Sequence, residues 1–117
     1  MRPEKSILRD KLDKAWAEAV KKKANYMCEY CSKKESLNAH HIYSRSKKST
    51  RWDTDNGVCL CVAHHTFSST FSAHKTPTEF TDWIKDRRDL GSLKLKANTP
   101  IKFGIQDLRD LLIELTK

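Results

Sequence analysis

Long hydrophobic runs are missing from this sequence. No apolar stretch approaches the roughly 20 residues that a membrane-spanning helix needs, and Met1-Arg2-Pro3-Glu4-Lys5 leads into an amphipathic stretch without the apolar core of a secretory signal. The expected location is the cytoplasm. Internal repeats and low-complexity segments are absent too, so solenoid and fibrous architectures drop out. Acidic residues are in the minority, 15 Asp and Glu against 23 Lys and Arg, and the net charge of +8 favours a polyanionic partner. With 117 residues, of which 38% are hydrophobic, there is room for one domain spanning 1–117 and none for a second. Trp16, Trp52, Trp83, Phe67, Phe71, Phe80 and Phe103 are the aromatic residues expected to seed its core.

The pattern divides the chain into three stretches. In 1–25, Ile7, Leu8, Leu12, Ala15, Trp16, Ala19 and Val20 recur at helical spacing, which predicts a helix from Ser6 to about Ala24. Lys21, Lys22 and Lys23 at its end suit the negative pole of the helix dipole. In 26–75 the helical pattern breaks up. Short strands are expected near Ala39–Tyr43 and Gly57–Cys61, joined by a basic loop from Ser44 to Arg51, with a short helix starting near Val62. In 76–117, Thr76-Pro77-Thr78-Glu79 predicts a capped helix start, with the helix running to about Leu90 and closed by Gly91. Ser92 to Phe103 reads as irregular, and Ile105 to Leu115 as a last helix.

Four cysteines in a reducing compartment point to metal ligation rather than disulfides. Cys28-Glu29-Tyr30-Cys31 is a knuckle able to present two thiolates to one zinc ion, and such a site needs two more ligands. If a helix begins near Val62, Cys61 and His64 lie three apart and converge on the same ion. Cys59, two before Cys61 on a strand, shares its face and is the competing fourth ligand; otherwise it is a small buried hydrophobe. His65 lies about 100° around the helix from His64, so it is free to serve a second metal. His40 and His41 close the preceding strand. A regular strand would split them across its faces, whereas irregular backbone could aim both at the cleft of His65.

The order Cys28-x-x-Cys31, His40-His41-Ile42, Asn56, Leu60-Cys61-x-x-His64-His65 resembles the HNH endonucleases, including their small stand-alone phage and prophage members. The resemblance covers about Tyr26 to His74. It implies an α+β fold: a zinc-stabilised ββα-metal (His-Me finger) core flanked by N-terminal and C-terminal helices. It also implies a structural Zn²⁺ on Cys28, Cys31, Cys61 and His64, and a catalytic divalent ion, Mg²⁺ or Mn²⁺, on His40 and His65. Family members with a third histidine ligand carry it one turn after the second, where this chain has Ser69, so two protein ligands are expected. His41 would be the general base, and Asn56 would bond across the loop to fix it.

On that resemblance the expected function is metal-dependent hydrolysis of DNA phosphodiester bonds, nicking or double-stranded. Arg45, Lys47, Lys48 and Arg51, on the loop between the histidine-bearing pieces, are the candidates for DNA phosphate contact. DNA, in double-stranded form, is the expected partner, together with a phage packaging or recombination enzyme. The competing reading is a zinc-stabilised DNA-binding module that makes no cut.

Overall fold

The computed structural model describes residues 2–117. Leu8, Leu12, Trp16 and Val20 are all buried, and their four-residue spacing gives helix α1 (Glu4–Lys23) a single apolar edge. That edge lies against a two-stranded antiparallel sheet, β1 (Leu37–His41) and β2 (Gly57–Cys61), in which Ala39 pairs with Cys59 and His41 with Gly57. Strand alternation then assigns the faces. Ala39 and Cys59 join Leu8, Leu12, Trp16 and Val20 in one cluster, to which the C-terminal helix adds Leu108. Val58 and Leu60 point the other way, into a second cluster with Phe71, Phe80 and Ile84.

Gly57 is what allows α1 to come so close. A Cβ there would sit 2.4 Å from Val20 Cγ2 and 2.8 Å from Trp16 Cζ2. The connection between the strands holds one helical turn, α2 (Lys48–Arg51), and a 3₁₀ turn at Thr54–Asn56, so the basic segment is partly ordered helix rather than open loop. After β2 comes a single π-helical turn, Ala63–Phe67, closed by Ser68 N–H donating to Ala63 O at 2.8 Å. Three helices follow: α3 (Pro77–Ile84), α4 (Leu90–Ala97) and α5 (Ile105–Leu115).

The structure departs from the sequence expectation at several points. The expected helix to about Leu90 ends at Ile84, a new helix starts at Leu90, and 92–97 is helical rather than irregular. Asp89 explains the break: its carboxylate accepts from Ser92 N–H at 3.0 Å and from the Ser92 hydroxyl at 2.8 Å, capping α4. Gly91 therefore sits in the first turn of α4 and closes nothing. The Thr76 hydroxyl makes no cap bond to α3, being occupied with the backbone of Ser72 at 2.9 and 3.0 Å. Phe67 is 62% exposed, because it ends the π turn instead of lying on a helical face turned to the core.

Candidate metal centres

The first centre assembles around the knuckle. Asn25, Tyr26, Ser32 and Ser36 all have positive φ, 56°, 54°, 67° and 53°, with no glycine among them. A side-chain-bearing residue in that region costs about 1–2 kcal/mol, so the segment 25–36 needs an external tie. One is available. Cys28, Cys31, Cys61 and His64 each offer a ligand atom, all within 4.8 Å of one another. Cys31 Sγ lies 3.8 Å from Cys61 Sγ, while His64 Nδ1 lies 3.3 Å from Cys61 Sγ and 3.9 Å from Cys28 Sγ. A tetrahedral zinc with Zn–S near 2.3 Å and Zn–N near 2.05 Å separates its ligands by about 3.8 Å for S···S and about 3.6 Å for S···N. The donor set fits such an ion.

The thiols of the cluster differ in protonation: burial, with Cys28 and Cys61, raises Cys31, while Cys28 is lowered. Burial pushes the Cys28 thiol up, but the backbone amides of Cys61 and Cys31 and the His64 ring outweigh it and bring the thiol down to about 7, toward the thiolate a metal needs. Cys59 behaves oppositely. It is fully buried against α1, and burial, then the nearby Glu29 carboxylate, pushes it up to about 11. It lies outside the four-residue cluster, on the helix-facing side of β2.

The second centre is on the opposite face of the sheet from α1. His40, His65 and His74 place ligand nitrogens within 4.8 Å of one another. His65 Nε2 and His74 Nε2 are 3.1 Å apart, and the His40 ring lies 5.1 and 5.2 Å from the other two ring centres. Burial first, then His65, His74 and His41, pushes His40 down to about 3, and burial with His74 lowers His65. Both rings stay neutral with lone pairs available. His65 Nδ1 is 3.2 Å from the Thr66 hydroxyl; with Nδ1–H donating to that oxygen, Nε2 would present its lone pair to a metal. Three imidazoles without a carboxylate suit zinc, copper, nickel or iron better than Mg²⁺, a hard ion that prefers oxygen.

The π turn explains why neighbouring histidines serve different centres: His64 turns to the knuckle and His65 to His40. A further histidine, His74, stands with His40 and His65 in this cluster. Ala73 N–H donates to His64 O at 2.9 Å and His74 N–H to His65 O at 3.1 Å, so the chain doubles back along the π turn and brings a third imidazole from outside the motif.

His41 does not join that cluster. β1 stays regular to its last residue, so His41 turns to the α1 face, where its ring stacks on Trp16 at 3.8 Å and 6°. It holds one defined hydrogen bond, Nε2–H to the Arg51 carbonyl at 2.8 Å. A carbonyl only accepts, so the ring proton is on Nε2 and Nδ1 keeps its lone pair. Burial lowers the basicity of the ring against the Arg51 carbonyl and Asp13, which raise it.

Asn56 is fully buried and works on the backbone around His41. Its Oδ1 accepts from Tyr43 N–H at 2.7 Å, and its Nδ2 donates to Tyr43 O at 3.0 Å and Thr50 O at 3.1 Å. It thereby staples the end of β1 to α2. The four basic candidates are not equivalent. Asp13 accepts from Arg51 Nε and Nη2 at 3.0 and 2.8 Å and from Arg45 Nη2 at 3.2 Å. Arg51 is only 17% exposed and acts as a strut, while Arg45 is 65% exposed. Lys47 reaches Asn98 at 3.2 Å, and Lys48 has no carboxylate partner among the described residues.

Sequence reasoning missed His74, Asp13 and the pair Glu29–Arg88. The Glu29 carboxylate accepts from Cys59 N–H at 2.7 Å and from Arg88 Nη2 at 3.0 Å, locking the knuckle to β2 and to the α3–α4 corner. Only His74 had a signal, as the one histidine left without a role.

The fold and its sites define a small α+β protein with two Cys/His centres on one short sheet: a Cys₃His cluster that could hold a structural metal ion, and a three-histidine cluster. Comparison of the chain with protein-family models, curated proteins and solved structures gives no match.

Proposed function

We propose that the chain is a metal-dependent endonuclease of the HNH type that hydrolyses DNA phosphodiester bonds, with a structural zinc on Cys28, Cys31, Cys61 and His64. The observation that carries the reading is the fixed tautomer of His41, next in sequence to a member of the three-histidine cluster. His41 has its proton fixed on Nε2 by the Arg51 carbonyl and its Nδ1 lone pair free, one residue from His40. A binding protein has no use for an oriented base on the same strand end as a three-histidine cluster.

A phosphodiester lying across the end of β1 would meet His41 on one side and the imidazole cluster on the other. His41 Nδ1 takes the proton of the attacking water, the Arg51 carbonyl steadies the cation that forms, and the stacked Trp16 ring holds its plane. His40, His65 and His74 would hold a divalent ion, which supplies Lewis-acid stabilisation of the extra charge on phosphorus and of the leaving oxygen. Asn56 positions His41 through the backbone. Arg45, the exposed member of the Asp13 pair, would contact a neighbouring phosphate.

The test is conversion of supercoiled plasmid by the protein and by His41→Ala, with Mg²⁺, Mn²⁺, Ni²⁺ or Zn²⁺ added, or with a chelator. Cutting by the unaltered protein alone, dependent on metal, is expected. The burial of His41 against Trp16, on the sheet face away from the imidazole cluster, favours the second reading, a zinc-stabilised DNA-binding module. Salt-sensitive DNA binding without cutting under any metal would establish that reading instead.

A further inference from the structure

Four cations surround one hollow well outside the two Cys/His centres. Lys5 and Arg9 on α1, Lys48 on α2 and Lys102 ahead of α5 line a cavity of about 360 Å³ whose wall includes Trp52 and Phe103. The two rings lie 5.7 Å apart, an apolar surface along which the lysine stems can pack with their charged ends outward. No acidic residue lines the cavity. Among the described residues, none of these four cations has a carboxylate within 4.0 Å, whereas Lys23, Arg45, Arg51, Arg87, Arg88 and Lys96 are all paired. The chain carries 15 acidic residues and places none of them here. Like charges gathered without a counter-charge repel one another, and the arrangement is best compensated by an anion from outside.

The position relative to His41 says which anion. Lys5, Arg9 and Asp13 succeed one another at four-residue intervals, so they share one side of α1. Asp13 carries the exposed Arg45, and Trp16 carries the His41 ring. At about 1.5 Å per residue, Arg9 and Lys5 lie roughly 10 and 16 Å along the helix from Trp16. One strand of duplex DNA advances about 3.4 Å per phosphate, so that distance spans roughly three to five nucleotides. We propose that the Lys5–Arg9–Lys48–Lys102 pocket binds the phosphodiester backbone of DNA, three to five nucleotides from the bond presented at the end of β1. The proposal rests on the nucleic-acid reading above and extends it from a reaction centre to a footprint.

The test compares the full chain with Lys5→Ala/Arg9→Ala/Lys102→Ala and with Lys33→Ala/Lys34→Ala/Lys94→Ala, which removes the same charge outside the pocket. Binding of a labelled short duplex is followed by fluorescence anisotropy between about 50 and 200 mM salt, without added divalent ion. Each phosphate contact contributes about 0.9 to the slope of log K against log salt, so the pocket variant should lose about 2.7 and bind roughly 100- to 500-fold more weakly near 0.1 M salt. The control variant should lose much less. Equal losses in both, or an unchanged slope, overturn the proposal. So does displacement of the duplex by millimolar inorganic phosphate at matched ionic strength, which would make the hollow a small-anion site, and so does tighter binding to anionic phospholipid vesicles than to duplex. If the triple variant melts abnormally, the single variant Lys102→Ala at an exposed position carries the test, with an expected slope loss of about 0.9. Plasmid cutting measured in parallel separates the two readings. Cutting without a pocket-specific loss sinks the pocket alone, and a pocket-specific loss without cutting sinks the nuclease alone.

Discussion

Asp13→Asn is the perturbation that reaches furthest through the structure. The Asp13 carboxylate accepts four hydrogen bonds, from Arg51 Nε and Nη2, Arg45 Nη2 and Trp52 Nε1, and so ties α1 to α2. The amide keeps the shape and one acceptor oxygen but removes the charge. The Arg45 contact, 65% exposed, contributes little. The Arg51 pair, with side chains 17% and 28% exposed, is the term that matters. Leaving a largely covered guanidinium without its counter-charge costs about 2 kcal/mol. At about 2.1 cal/mol/K per residue of unfolding entropy, that lowers the melting temperature by roughly 8 °C.

The pH dependence gives a second check. Burial raises the Asp13 carboxyl, but the hydrogen bonds from Arg51 and Trp52 and the charges of Arg51 and Arg45 win and hold it below its ordinary value. A carboxylate depressed on folding contributes stability above its unfolded value, near 3.9, and loses it as pH falls through the lower folded value. The gap between the two proteins in thermal melts should therefore be constant from about pH 8 to 5. Closure of that gap already between pH 7 and 5, or a gap under 2 °C at pH 7, would refute the reasoning.

Cys61→Ala should abolish zinc content by atomic absorption and leave no cooperative melt, because a structural zinc contributes about 10–16 kcal/mol, as much as the whole stability of a small domain. Cys59→Ala should keep full zinc content and lose only about 1 kcal/mol, since the buried thiol acts as a small apolar group. Gly57→Ala should cost about 1–3 kcal/mol in chemical denaturation, because its Cβ would overlap Val20 and Trp16. His74→Ala, at an exposed position, should leave the melt of the zinc-loaded protein unchanged while weakening Ni²⁺ or Zn²⁺ binding at the second centre, read by calorimetry, at least ten-fold.

Much of the architecture was legible because it obeys simple periods. The α1 stripe of Leu8, Leu12, Trp16 and Val20 and the β2 run Gly57–Cys61 are local patterns that burial then enforces. The region after Ile84 was not, because one side chain decides it: Asp89 starts α4 where composition suggested continuation and then irregular chain. The single π turn was equally hidden. Its bond from Ser68 to Ala63 depends on the return of 72–74 alongside it, a contact that no local window contains.

At the candidate sites the grouping of Cys28, Cys31, Cys61 and His64 follows from spacing, since a strand end and the next turn can bring residues three apart together. His74 does not, because it follows His65 by nine positions, mostly loop, and the backbone bonds from Ala73 and His74 set its position. Arg51 carries the same lesson with opposite sign. In sequence it is one basic residue among several, yet Asp13, 38 positions away, turns its side chain into a strut and leaves its carbonyl to orient His41. The loop's charge is thus divided by α1: one arginine is spent holding the histidine in place, while Lys48 remains unpaired on the side of Lys5 and Arg9. The hollow of Lys5, Arg9, Lys48 and Lys102 shares no residue with the His40–His65–His74 cluster, so loss of duplex binding in the pocket variant should leave metal binding at that cluster intact.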